Sequence, residues 1–537
     1  MSDLIPQTAA ISTSAAVAIP MLICFFALMI GVGFACRKHG KTVDSFVLGG
    51  RSVGPWLTAF AFGTSYFSAV IFVGYAGQFG WNFGLASTWI GLGNAFVGSL
   101  LAWVVLGRRT RVMTQHLGSK TMPDFFEKRY DSKKLKVVAS FIVFVFLIPY
   151  TASLYNGLSS LFNNVFEIDY WVVVVVMAAL TGVYVIFGGY MATAINDFIQ
   201  GIIMLAGIIA VIAAVLTQNG GFNAAVEALG VKAGAEYSSL FGPNPIFLFF
   251  VVMLTSLGTW GLPQMVGKFY SIKDEGSIKK GTLISTLFAI VVAGGCYFLG
   301  GFGRLYEEGM IAGGYINDGK VLFDKVIPTM LGELSPVIVA LIVVLVLAAS
   351  MSTLSSLVLT SSSTLTLDVV QPLLTRKKPV SDKKSVLIMR LFIVFFIALS
   401  AVIAILKDTI WSGSVFIAQM MGVSWGALAG AFLAPFLYGL YWKGTTKAAA
   451  VVSFLFGTGL EIVQLCISVG WISVTDVPVL SFVFTNSLYS GVFAMVGGLV
   501  LVPIVSAFTR KTLPTNVEEK FACYEATVVT NVKDSLG

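Results

Sequence analysis

The chain has 537 residues, of which 57% are hydrophobic and 11% charged, with a mean hydropathy of +0.89. That makeup excludes an ordinary soluble globule, in which about a quarter of the residues are charged, and predicts an all-α polytopic membrane protein. The net charge of +8 follows from membrane topology and anionic lipid and needs no nucleic acid.

Apolar runs of roughly 20 residues predict thirteen transmembrane helices, beginning near residues 17, 54, 84, 135, 170, 191, 244, 281, 335, 385, 411, 447 and 480. The first run follows MSDLIPQTAA, which lacks the basic region of a signal peptide, and precedes Arg37 and Lys38, so it is read as a retained span. Lys and Arg collect in alternate loops: of the 34, only Lys232, Arg304, Lys320, Lys325 and Lys407 fall outside one set. By the positive-inside rule the N-terminus is outside and the C-terminus cytoplasmic, in a plasma membrane, bacterial inner membrane being the expected case. Lys268 to Lys280 is counted among the cytoplasmic loop charges.

Two spans are interrupted. Ala59 to Ala69 carries Gly63, Thr64, Ser65 and Ser68 inside an apolar run, and Thr255 to Pro263 carries two glycines and a proline. Both residue types weaken the helix ladder, and unpaired backbone inside a membrane is tolerated where it is buried or lines a cavity. With the first span set aside, these are helices one and six of a ten-helix core, the arrangement of two inverted five-helix repeats whose broken helices meet at a midplane site.

Asp197 lies in the first turns of a long apolar helix. It reads either as a functional intramembrane acid or as a helix-start acid favoured by the macrodipole.

From Ser350 to Thr366 eleven of seventeen residues are Ser or Thr. At about 100° per residue Ala349, Ser352, Thr353 and Ser356 share one stripe, with Ser355 flanking. Such a stripe suits a small hard cation, or close helix packing with hydroxyls bonded to the preceding turn. The five cysteines show no disulfide or metal spacing, and the two histidines, His39 and His116, lie in basic loops. No nucleophile, base and orienting-group set is visible, so an enzyme is not expected.

Several segments resemble the sodium:solute symporter family: Tyr184, Gly188, Gly189, Ala192, Asn196-Asp197 and Gln200-Gly201; G-G-R-S at Gly49; Thr121-Met-Pro123 with Arg129-Tyr130; A-x-x-S-T at Ala349; and W-K-G-T-T at Trp442. G-L-P-Q at Gly261 and S-I-K-D at Ser271 are nearest to the bacterial pantothenate and proline branches. The resemblance implies a leucine-transporter-like inverted repeat and sodium-driven uptake. The division it suggests is 1–53, an N-terminal segment with an extra helix and first loop; 54–217, the first repeat; 218–243, an extracellular loop; 244–442, the second repeat; 443–507, two peripheral helices; and 508–537, a cytoplasmic tail.

Carried onto this chain, the family's common sodium site falls on the carbonyls of Thr64, Phe67 and Ala349 and the hydroxyls of Ser352 and Thr353. A second sodium site, as in the family's sialic acid transporters, would use Asp197, Ser352, Ser355 and Ser356. The substrate cavity would be lined by Ser65, Tyr66, Ser68, Ala69, Tyr150, Asn156, Thr259, Trp260 and Gln419. Tyr66 stands where the proline transporters carry an acid, and Thr255 and Thr259 replace their aromatic positions, which argues against proline. The expected function is sodium-coupled import, with one or two Na+, of a small organic acid, amino acid or vitamin-like carboxylate, without an organic cofactor. The alternatives are a sugar or other neutral solute, a transporter-derived sensor, or a channel. Lipid is the expected surrounding, and a monomer suffices for transport.

Overall fold

The computed structural model describes residues 5–38, 40–166, 168–317, 319–375, 380–410, 417–473 and 478–525. His39, the expected span start near 411 and residues 526–537 of the tail lie outside them. Apart from the short antiparallel pair Ile316–Asn317 and Lys320–Val321, the regular structure among the described residues is helical.

Among the described residues ten helices are long and apolar enough to cross a membrane, or up to eleven if the bent pair Pro245–Gly261 and Pro263–Tyr270 is one span. The expected thirteen exceed this count, and the difference falls on segments that length alone does not divide. Val70–His116 has 47 residues and Tyr170–Gln218 has 49; at 1.5 Å per residue each runs about 70 Å, more than twice the hydrocarbon thickness. Each is turned at a glycine in a conformation L side chains avoid: Gly84 (φ 60, ψ −138) and Gly189 (φ 56, ψ −148). The last long helix begins at Ser487, later than the expected 480, because Asn486 caps it by accepting from the Leu488 and Tyr489 amides, and a short helix, Pro478–Val483, precedes it.

The serine-rich helix, Pro336–Thr364, is the central post. It packs against the aspartate-bearing helix Tyr170–Gln218, the N-terminal helix Ile5–Ala35 and the helix Lys133–Phe166, and from Val339 onward every residue except Leu341 and Thr360 is buried. Ile417–Tyr441 packs against Lys133–Phe166 and carries the last two long helices, Lys447–Ser468 and Ser487–Phe508.

The end of the bundle rich in Lys and Arg is held by side chains that satisfy helix-end carbonyls. Arg129 donates to Gly439 and Trp442 carbonyls at 2.8 and 3.0 Å, and Tyr130 donates to the Pro435 carbonyl. After the left-handed turn Gly49, Gly50 and Arg51, the Arg51 guanidinium donates to the Tyr270 and Ser119 carbonyls. The resemblance-bearing segments at Gly49, Arg129 and Trp442 therefore tie loops to helix ends.

Candidate functional site

The first broken helix runs Pro55–Tyr66, leaves helical geometry at Phe67 (φ −90, ψ 125) and resumes after Ser68. Its last carbonyls lack the amides that would follow in an unbroken helix. Two hydroxyls of the serine-rich helix reach them. Ser352 Oγ lies 3.1 Å from the Thr64 carbonyl and 2.9 Å from that of Ala349. Thr353 Oγ1 lies 3.3, 3.1 and 3.2 Å from the carbonyls of Thr64, Phe67 and Ala349. Five oxygens thus converge with two hydroxyl protons among them, so lone pairs are in excess. Around a hard cation with oxygens at about 2.3–2.6 Å, ligands at right angles stand about 3.3–3.7 Å apart. The observed spacing is a few tenths of an ångström shorter, as expected of a cage drawn together by its own hydrogen bonds. All five expected residues of the first ion site are brought together, and the donor set fits a small cation.

Residues 46–457 match the sodium:solute symporter family. The chain belongs to this family. It is 28% identical over 495 residues to a sodium/proline symporter of Staphylococcus aureus, covering 91% of this chain and 92% of that protein. A Na+-coupled sialic acid symporter has a similar structure, with a TM-score of 0.72 at 16% identity, covering 92% of this chain and 98% of the other. A nucleobase-cation-symport-1 family transporter matches with a TM-score of 0.52 at 14% identity over 89% and 98%. The fold is that of the leucine-transporter-like carriers, and family and fold are those of transporters.

The second expected ion set of this symporter-family chain is arranged differently. Asp197 is fully buried, and neither carboxylate oxygen accepts a hydrogen bond from a described hydroxyl. Ser355 donates to the Ser352 carbonyl of its own helix at 2.8 Å. The group facing Asp197 is Lys268, whose ammonium lies 3.5 Å from Asp197 Oδ2 and donates to Ser356 Oγ at 3.0 Å. Ser356 in turn lies 2.7 Å from Ser65 Oγ. Lys268, expected in a cytoplasmic loop, is 4% exposed inside the short helix Pro263–Tyr270, the second half of the other broken span.

A third cluster stands beside the break at Phe67. Tyr66, Tyr150 and Trp425 are buried, with the Trp425 ring centroid 5.8 Å from that of Tyr66 and 5.9 Å, edge-on, from that of Tyr150. Ser68 Oγ and Trp425 Nε1 flank the Tyr150 hydroxyl. Yet these three groups and the Tyr66 hydroxyl form no hydrogen bond of normal geometry among the described residues. Four poorly satisfied polar groups in one buried place are costly unless a ligand completes them. Trp425 was not anticipated from sequence.

The remaining expected lining residues are placed apart from this cluster or already partnered. Thr259 Oγ1 lies 2.8 Å from the Ser256 carbonyl, and Trp260 Nε1 donates to the Val97 carbonyl at 3.0 Å. Asn156 accepts from the Tyr170 hydroxyl. Ala69 touches Gly157, where an added Cβ would lie 3.2 Å from that of Ala69. Gln419 lines a separate apolar cleft of about 230 Å³ with Val145, Ile148 and Leu465.

Proposed function

We propose that this chain imports a small carboxylate-bearing organic solute (an organic acid, amino acid or vitamin-like acid) together with sodium by alternating access. The observation that carries the reading is the five-oxygen cage built between the break at Phe67 and the serine-rich helix. Sodium would bind at the carbonyl end of the first half-helix, where the macrodipole favours a cation. The amides opening the second half-helix, after Ser68, favour an anion. The solute would lie against Tyr66, Tyr150 and Trp425, rings that wall an organic body and donors that meet its oxygens. Ion and carboxylate would then be neighbours, each lowering the cost of burying the other.

The curated relative is a proline symporter, but Tyr66, Thr255 and Thr259 depart from the proline pattern, and Thr255 Oγ1 donates to the Val251 carbonyl of its own helix at 2.8 Å. An acid other than proline therefore fits better. By the positive-inside rule the Lys- and Arg-rich end faces the cytoplasm, the N-terminus lies outside, and the chain sits in the plasma membrane as a transport-competent monomer. Thermal shifts with a panel of organic acids, amino acids and sugars, each with and without sodium, should show sodium-dependent stabilisation by a carboxylate. Failure of every solute to move faster into vesicles under an inward sodium gradient would refute symport.

A further inference from the structure

Lys268 joins four core helices through one ammonium. It sits on Pro263–Tyr270, faces Asp197 on Tyr170–Gln218 at 3.5 Å, and donates to Ser356 on the serine-rich helix at 3.0 Å. Ser65 of the first broken helix donates to the Ala61 carbonyl at 2.6 Å, so the bond between Ser65 and Ser356 has Ser356 as its donor. Ser356 thus accepts from the ammonium and donates to the residue beside Thr64 of the sodium cage. The Tyr190 ring centroid, 5.4 Å from the ammonium, adds a cation–π contact. Asp197 and Ser356 are half of the residues that would define a second sodium site, and a covalently attached cation stands between them.

We propose that Lys268 is a built-in second cation: its ammonium permanently fills the place of a second sodium beside Asp197, so that the transporter binds one sodium where it would otherwise bind two. This rests on the sodium-symport reading above. A buried acid needs a cation, and Lys268 meets that need in a way that depends on no ion concentration. A sodium ion added to the same place would share one carboxylate with a positive charge already at contact distance. The transport consequence follows from the potential: each sodium not carried lowers the attainable accumulation about fiftyfold at 100 mV.

Access is not the obstacle to a second ion. A cavity of about 50 Å³, room for ordered water, is lined by Lys120 and Thr121 from the basic end and by Gln264, Lys268 and Ser356 within the bundle. Removing the ammonium should therefore open an acidic, hydroxyl-lined site that sodium can reach.

The test counts radioactive sodium bound at saturation per folded, purified full-length protein. Wild type and Lys268→Arg should bind one ion, Lys268→Gln two, and the neutral pair Lys268→Gln/Asp197→Asn one. Two ions in wild type, or one in folded Lys268→Gln, overturns the assignment. If Lys268→Gln is recovered folded only in sodium and not in choline, sodium is replacing the ammonium, as proposed. If it fails to fold even in sodium while the neutral double variant folds, the vacated place does not hold sodium and the proposal is wrong. No bound sodium in any variant, wild type included, would overturn the symport reading itself.

Discussion

Thr353→Val tests the sodium cage with little change of volume. Its hydroxyl is the one group within 3.3 Å of all three cage carbonyls, Thr64, Phe67 and Ala349. As a ligand to a charge it is worth about 1.5–3 kcal/mol, whereas its bonds to carbonyls in the ion-free protein contribute about 0.5–1.5 kcal/mol. The difference, about 1–2 kcal/mol, is the loss in ion affinity and corresponds to roughly a five- to thirtyfold rise in the sodium concentration for half-saturation. Sodium-dependent thermal stabilisation of the purified protein, titrated against choline, reads this directly and requires no solute. Thr353→Ser keeps the oxygen and should stay within about threefold of wild type. If Thr353→Val shifts half-saturation less than twofold while the protein folds, the hydroxyl is a packing bond and the cage is not the ion site.

Tyr150→Phe and Trp425→Phe remove donors that form no hydrogen bond of normal geometry among the described residues, so each should leave the melting temperature unchanged or slightly raised while weakening solute binding about tenfold; a clear loss of stability in both would mean the cluster is structural. Gly189→Ala puts a Cβ 2.8 Å from the Phe46 ring at φ 56 and should cost about 3 kcal/mol or more, read as loss of monodisperse protein. At the basic end, burial alone would raise the Asp124 carboxyl, but Lys136 and Lys128 outweigh it and hold it below the ordinary 3.8. A lowered folded value means stabilisation that is present above pH about 4 and lost as pH falls through the folded value. Asp124→Asn should therefore lie about 2 kcal/mol below wild type at pH 6, with the gap closing below pH 4 in a thermal scan.

The broken helices and the serine stripe were legible in the sequence because each is a local pattern. Glycine and proline mark where the ladder fails, and Ala349, Ser352, Thr353 and Ser356 lie at helical spacing on one face. The proposed first ion site needs only those two patterns to meet. Lys268 was not legible. A lysine near the end of an apolar run reads as a loop charge, and its partner Asp197 lies on another helix, so only tertiary packing brings them together. The available signal was its position inside Pro263–Tyr270, just after the proline that restarts the helix. Trp425 was missed because an aromatic residue in an apolar helix carries no polar signature. Gln419 does carry one. Six residues at about 100° each set these two about 120° apart round the helix, and Trp425 is the one that meets Tyr66 and Tyr150. Thr259 and Trp260 lie on the tight turn Gly258–Gly261, which turns their polar atoms onto Ser256 and Val97.

The stretch from Thr64 to Ser68 belongs to all three clusters at once. Thr64 and Phe67 supply cage carbonyls, Ser65 bonds the residue held by Lys268, and Tyr66 and Ser68 face Tyr150 and Trp425. The helix ends at Tyr66, and past the Phe67 amide, which donates to the Gly63 carbonyl at 3.3 Å, the carbonyls of Thr64 and Phe67 are met by the Ser352 and Thr353 hydroxyls in place of a next helical turn. On the proposed reading, an ion that widens the cage by a few tenths of an ångström would shift the donors offered to the solute on either side of Phe67, and a solute that orders those donors would reset the carbonyls. The two ligands would then be coupled, and reciprocally. On the other side of the same segment, the ammonium ties Ser356 to two further helices and depends on no ligand. On the one-sodium proposal, the fixed charge would hold the break in register while the mobile ion comes and goes, giving a single sodium the leverage to move a bundle that contains two cation places.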